Sequence, residues 1–150
     1  MSVTTSVDKA ALNITRSKAH PNCVVCSAPN PHGLSLDFAV TEDGSVRAPF
    51  DCPEKFEGYP GLLHGGIVAA ALDGAMTNSI FARGQAALTG ELSVRYRYPV
   101  RVKEEAVVHA WIERSSSRFY LARAELLQQG EVKATATGKF MLRLSEETER

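Results

Sequence analysis

The chain has 150 residues, 44% of them hydrophobic, and its 17 Lys plus Arg are balanced by 17 Asp plus Glu for a formal net charge of zero. That size and apolar content suit one domain with its own core, and the neutral balance gives no support to a general nucleic-acid or acidic-membrane partner. Met1 to Ala19 lacks the apolar block of a signal peptide and no run approaches a transmembrane length, so a cytoplasmic protein is expected.

The first expected element is a short amphipathic helix over 6–19, with Ser6 as a cap and Ala10, Ala11, Leu12 and Ile14 as its apolar side. Cys23 and Cys26 follow with CxxC spacing, His20 three residues before and His32 six after, a set that metal ligands can adopt. A conventional core is available without a metal staple, and Cys52 stands alone. Ser27-Ala28-Pro29-Asn30-Pro31 reads as a loop rather than the helix start of a redox motif. The thiols are therefore expected to be reduced and packed, with no metal and no cofactor.

Leu34 to Val40 alternates with period two, Glu42-Asp43-Gly44 marks a hairpin turn, and 45–50 is the returning strand. After Tyr59-Pro60-Gly61 comes an apolar helix over 65–83, closed by Gly84. Four β-rich runs then cover 87–98, 104–114, 118–129 and 131–143, the last two joined as a hairpin at Gln128-Gln129-Gly130-Glu131. One helix among long strands gives an α+β domain in which a curved antiparallel sheet grips the helix.

The helix start is Leu63-His64-Gly65-Gly66-Ile67, and from Gly65 to Phe81 the one acid is Asp73. First-turn N–H groups lack intrahelical acceptors, glycine lets a ligand approach them, and the helix dipole favours negative charge there. Gly65 and Gly66 thus suit the oxyanion of an acyl-transfer intermediate. Asp73 is eight residues on, about 12 Å along the axis, so one helix cannot bring both to one carbon. An antiparallel pair of helices across a two-fold axis would, making the site a property of a dimer. Thr77 lies one turn beyond Asp73, where its hydroxyl is expected to orient the carboxylate or a water. Ile67, Val68, Ala71 and Met76 are expected to floor the acyl pocket, favouring an aromatic or medium acyl group.

Gly58-Tyr59-Pro60-Gly61-Leu62-Leu63-His64-Gly65-Gly66, the acid at Asp73, and Thr89-Gly90-Glu91-Leu92-Ser93-Val94-Arg95-Tyr96 followed by Pro99 resemble the PaaI-type acyl-coenzyme A thioesterases of the hotdog-fold superfamily. The likeness runs from about Cys23 to Leu144. It implies a hotdog domain over 23–144, with an N-terminal extension at 1–22 and a polar tail at 145–150. It also implies an oxyanion hole at Gly65 beside His64, Asp73 as general base or nucleophile, supporting hydroxyls at Thr77 and Thr89, and sites formed between subunits of a homodimer, possibly in a dimer of dimers. The chain departs from some members, which carry Asn or Gln where it has Gly58. A thioester carbonyl would there lose one donor, and His64 or a backbone N–H near Gly58 is the expected substitute.

Alternation sends Leu92, Val94, Tyr96, Tyr98 and Val100 to one face, expected to pack, and Arg95 and Arg97 to the other. Arg95, Arg97 and Arg118 are the candidates for the coenzyme A phosphates, which guanidinium groups hold with paired hydrogen bonds. A merely solvated sheet face would look the same. No phosphate loop, GxGxxG or GxSxG occurs. Hydrolysis of an acyl-coenzyme A is the reading; a non-catalytic acyl-coenzyme A sensor is the alternative, and a hydratase or dehydratase needs a His and acid pair that the sequence does not show near His64.

Overall fold

Helix α2, Gly65–Phe81, is apolar around nearly its whole girth, and in the computed structural model, which describes residues 2–142, every residue from Gly74 to Phe81 is buried. Such a helix needs cover on all sides. One side is supplied by an antiparallel sheet of six strands: β1 (Ala39–Val40), β2 (Val46–Phe50), β3 (Ala87–Tyr96), β4 (Ala106–Ser115), β5 (Phe119–Gln128) and β6 (Glu131–Leu142). The order across the sheet is β1-β2-β4-β5-β6-β3, and α2 touches every strand from β2 to β6. The other side is covered by α1 (Ser2–Ala19) and the loop after it. At Gly74 a Cβ would lie 2.4 Å from Val25 Cγ1, so glycine is what lets this loop close over the helix.

Several expectations are revised in detail. The helix α1 begins at Ser2, so Ser6 is inside it rather than at its cap. Of its expected apolar side only Leu12 is buried, while Ala10 is exposed and Ile14 is 57% exposed. Of 34–40 only Ala39–Val40 joins the sheet. Leu34, Leu36 and Phe38 are buried and Ser35 and Asp37 exposed, but the backbone bonds Val24 and Val25 instead, Leu34 N–H to Val24 O at 2.7 Å and Leu36 N–H to Val25 O at 2.8 Å. Alternation reports which side faces the core, not which backbone is the partner. The β5–β6 hairpin turns on Gln129 and Gly130, both at positive φ, as two-residue turns between twisted strands require. The expected tail at 145–150 lies outside the described residues.

Two features position the start of α2. Gln128, buried at the end of β5, donates to Arg101 O and Glu104 O and accepts from Arg101 N–H, which fixes the loop between β3 and β4. That loop holds the preceding turn through Leu63 N–H to Val100 O at 2.8 Å and Val102 N–H to Gly61 O at 3.1 Å. The edge strand β3 departs from expectation: Val94 is partly buried and Val100 buried, but Leu92, Tyr96 and Tyr98 are 39%, 54% and 50% exposed. Its single sheet neighbour is β6, and the chain leaves the helix-side face of this edge half open.

Candidate functional site

His64 caps α2 from an extended backbone, φ −60° and ψ 136°. Its Nδ1 accepts Gly66 N–H at 2.8 Å, and its carbonyl accepts the N–H of Ile67 and of Val68. Gly65 N–H is left without an acceptor among the described residues. The pair of free donors expected from the glycines is thus one, because an N-cap imidazole can reach the N–H two residues on, as Ser or Asp does. Accepting at Nδ1 puts the His64 proton on Nε2, on an exposed ring. The N–H of Gly58 donates to Leu62 O at 2.9 Å and is not available to a ligand. A Cβ at Gly58 would lie 3.2 Å from His64 Cα and 3.3 Å from its ring, so glycine there accommodates this cap.

Alternation makes Tyr96 a packing residue; in the structure its Oη donates to Gly65 O at 2.7 Å, tying β3 to the first turn of α2. The contact joins residues 31 apart and has no local signal in the sequence. An open pocket of about 400 Å³ lies beside this turn, lined by Lys55, Phe56, Glu57, His64, Gly66 and Ile67.

Asp73 is half-buried and accepts from Thr89 Oγ1 at 2.8 Å. Burial pushes its carboxyl above the ordinary value of 3.8; the Thr89 hydrogen bond opposes the rise, negative charge at Cys23 adds to it, and His20 opposes it. A bulge in β3 between Thr89 and Glu91 aims Thr89 at the helix: without it, alternation from Tyr96 would turn Thr89 away. Thr77 is placed otherwise than expected. Its hydroxyl donates to the backbone carbonyl of Asp73 at 3.0 Å, one turn back, and not to the carboxylate. Met76 is fully buried beneath Gly138, and Val68 and Ala71 are buried too, so the expected acyl floor is closed within the chain apart from Ile67.

The arginines do not gather. Tyr96 faces α2, so Arg95 projects from the outer side of the sheet, and Arg97 follows the strand with its N–H on Lys133 O. Arg118 sits in the β4–β5 turn, its carbonyl accepting Leu142 N–H. Leu142 pairs with Ala87 at the far end of β3 from Tyr96, a separation of about 30 Å at about 3.3 Å per residue. Within one chain Arg118 is remote from Gly65.

A different His and acid pair lies on the outer face: His109 Nδ1 meets Glu125 Oε2 at 3.0 Å and His109 Nε2 meets Ser45 Oγ at 2.9 Å. The order imitates a serine triad, but Ser45 is 4% exposed and its hydroxyl donates to Asp43 at 2.6 Å. The hydroxyls of Ser45 and Thr41 hold the Asp43 carboxyl well below the usual range. That serine is a structural donor, not a nucleophile.

Comparison with known proteins agrees with this architecture. A family model described as "Thioesterase superfamily" matches residues 60–135. Acyl-coenzyme A thioesterase THEM4 of Bos taurus is 28% identical over 114 residues, covering 73% of this chain and 47% of that protein. This chain therefore spans about half the length of that curated relative. The crystal structure of the thioesterase superfamily protein RHA08564 superposes with a TM-score of 0.75 at 25% identity, covering 79% of this chain and 62% of that one. A mutant of the phenylacetic acid degradation protein PaaI from Thermus thermophilus gives 0.67 at 22% identity, covering 73% and 95%. These likenesses establish the hotdog arrangement of sheet and helix. No helix among the described residues is long and apolar enough to cross a membrane.

Proposed function

This chain belongs to the thioesterase superfamily, and from that premise we propose that it hydrolyses an acyl-coenzyme A to the free acid and coenzyme A, at a site shared by two copies. The observation that carries the reading is Asp73: a desolvated carboxylate on an apolar helix, oriented by Thr89 and two turns from an N–H with no acceptor. Desolvation raises the basicity of a carboxylate toward the range useful to a general base. Asp73 of one copy takes a proton from water as its oxygen attacks the thioester carbon. The oxyanion is held by Gly65 N–H of the other copy, with His64 Nε2–H at hand for the carbonyl. Collapse of the intermediate breaks the carbon–sulfur bond, and the proton passes from Asp73 to the departing thiolate. Direct attack by the carboxylate would use the same residues.

The dimer is supported by the chain's own surface. β3 is a ten-residue edge strand whose helix side leaves Leu92 and Tyr96 partly uncovered, and an edge of that length calls for a cover. In such a pair, Arg95, Arg97 and Arg118 of different copies are the proposed phosphate contacts, and Ile67, the one expected floor residue left partly exposed, is the acyl-side residue, while Met76 lies in the layer beneath it. Thiol release is measured across an acyl-coenzyme A panel with the wild type and Asp73→Asn. The expected result is release by the wild type with an aromatic or medium acyl group and a loss of about 10²–10⁴-fold in the variant. Saturable binding without release would instead make the protein a sensor, and an undiminished Asn variant would remove Asp73 from the chemistry.

A further inference from the structure

We propose that His20, Cys23 and Cys26 form a binding site for one divalent metal ion of the zinc class, on side chains that the proposed thioester chemistry does not itself use. From sequence spacing these thiols read as packed side chains, with His32 a possible fourth partner; the structure brings three of the four together and leaves His32 out. The imidazole nitrogen and both sulfurs lie within 4.8 Å of one another, and His20 Nδ1 to Cys26 Sγ is 3.6 Å. Zinc bond lengths of about 2.3 Å to sulfur and about 2.0–2.1 Å to nitrogen give a tetrahedral edge of about 3.6 Å between such ligands. The His20–Cys26 edge already matches, and the remaining pairs, no more than 4.8 Å apart, close by at most about 1 Å to accept the ion.

The surrounding backbone is arranged for a thiolate. Val25 N–H and Cys26 N–H both point at Cys23 Sγ, at 3.2 and 3.4 Å, and two amide donors on one sulfur suit a charged ligand better than a thiol. Leu34 and Leu36 N–H groups hold the carbonyls of Val24 and Val25, and Ser27 Oγ donates to Pro21 O. A Cβ at Gly33 would lie 2.4 Å from Val24 O, so the neighbouring segment packs directly on the turn. His20 leaves the end of α1 with its ring edge-on to Phe81, which fixes its plane.

A second feature lies beside the cluster. Asn78 is fully buried on α2, its side chain against the Cys26 sulfur, and its Nδ2 donates to Gly74 O at 2.8 Å. Its Oδ1 has no partner among the described residues. A buried acceptor left unpaired is costly. Three protein ligands leave one coordination position open for a water. Uptake of the ion releases any remaining thiol proton to solvent, with no change of oxidation state.

Cobalt(II) alone is the probe, titrated into the 150-residue chain after reduction and chelation. The expected result is one equivalent bound, with thiolate-to-cobalt charge transfer and the strong visible bands of a tetrahedral site. Added zinc should displace the cobalt. Cys23→Ser should roughly halve the charge-transfer intensity per cobalt bound and weaken binding, because one thiolate of two is left, His20→Gln should weaken binding by at least about tenfold, and His32→Gln should bind as the wild type does. Cys23 is the variant of choice because it is less buried than Cys26, and circular dichroism checks that each variant is folded. A reduced, folded wild type that takes up no cobalt overturns the proposal, as does uptake undisturbed by both Cys23→Ser and His20→Gln.

Discussion

The two halves of α2 are built on different principles. From Leu72 to Phe81 every residue but Asp73 is buried, and the helix is held by packing. At Gly65 and Gly66 the chain is exposed, and hydrogen bonds hold it instead: His64 to Gly66, Tyr96 to Gly65, and the loop around Val100 to Leu63. Asp73 sits at the border, with core around it and a hydroxyl from the edge strand on its carboxylate. The stability of this helix and its proposed chemistry are therefore separable, and substitutions in the two halves should fail in different ways.

The largest separation is expected between Leu72→Ala and Gly65→Pro. Leu72 is fully buried, and its truncation should cost about 2–5 kcal/mol by denaturant unfolding. Gly65→Pro removes one N–H and little else: it stands at the first helical position, where proline is tolerated, after a residue already extended. A Cβ there meets the Tyr96 ring at an ordinary 3.6 Å. This variant should keep its melting temperature and lose about 10²–10³-fold in kcat. If both variants lose stability alike, the distinction between the halves is wrong.

A smaller effect sharpens the border. The folded-state pKa of Asp73 lies above its unfolded value, so between the two the folded chain binds more protons. Its carboxylate therefore costs stability above the folded pKa, and that cost disappears below the ordinary value of 3.8. Asp73→Asn should melt higher than the wild type at neutral pH, with the gap closing as pH falls through this window. A gap that widens on acidification would mean that the carboxylate is stabilised by its surroundings. The same shift places the acid limb of the pH–rate profile above the range of an exposed aspartate.

Much of this was legible in the sequence because it rests on local patterns. The apolar run of α2, the Gly84 stop, the Gln129-Gly130 hairpin and the four long strands each follow from neighbours within a few residues. What could not be read depends on register. Thr89 reaches Asp73 through a bulge that reverses its side of β3, and strict alternation puts it on the wrong face. Tyr96 looks like packing until its hydroxyl is found on Gly65 O. The Gly66 donor is occupied because a rotamer of His64 turns back onto its own helix, and spacing carries no information on rotamers. Thr77 has the right spacing for the carboxylate, yet its hydroxyl donates to the helical carbonyl one turn back.

The central claim, that the carboxylate and the amide donor come from different copies, is tested by mixing two inactive chains. Asp73→Asn and Gly65→Pro are each purified, unfolded together and refolded, with mass spectrometry used to count mixed dimers. Random pairing makes half the dimers mixed, and each of these has one intact site of two, so about a quarter of the wild-type thioesterase activity should return. If mixed dimers form and activity stays at the level of the separate variants, both groups act within one chain and the two-copy site is wrong.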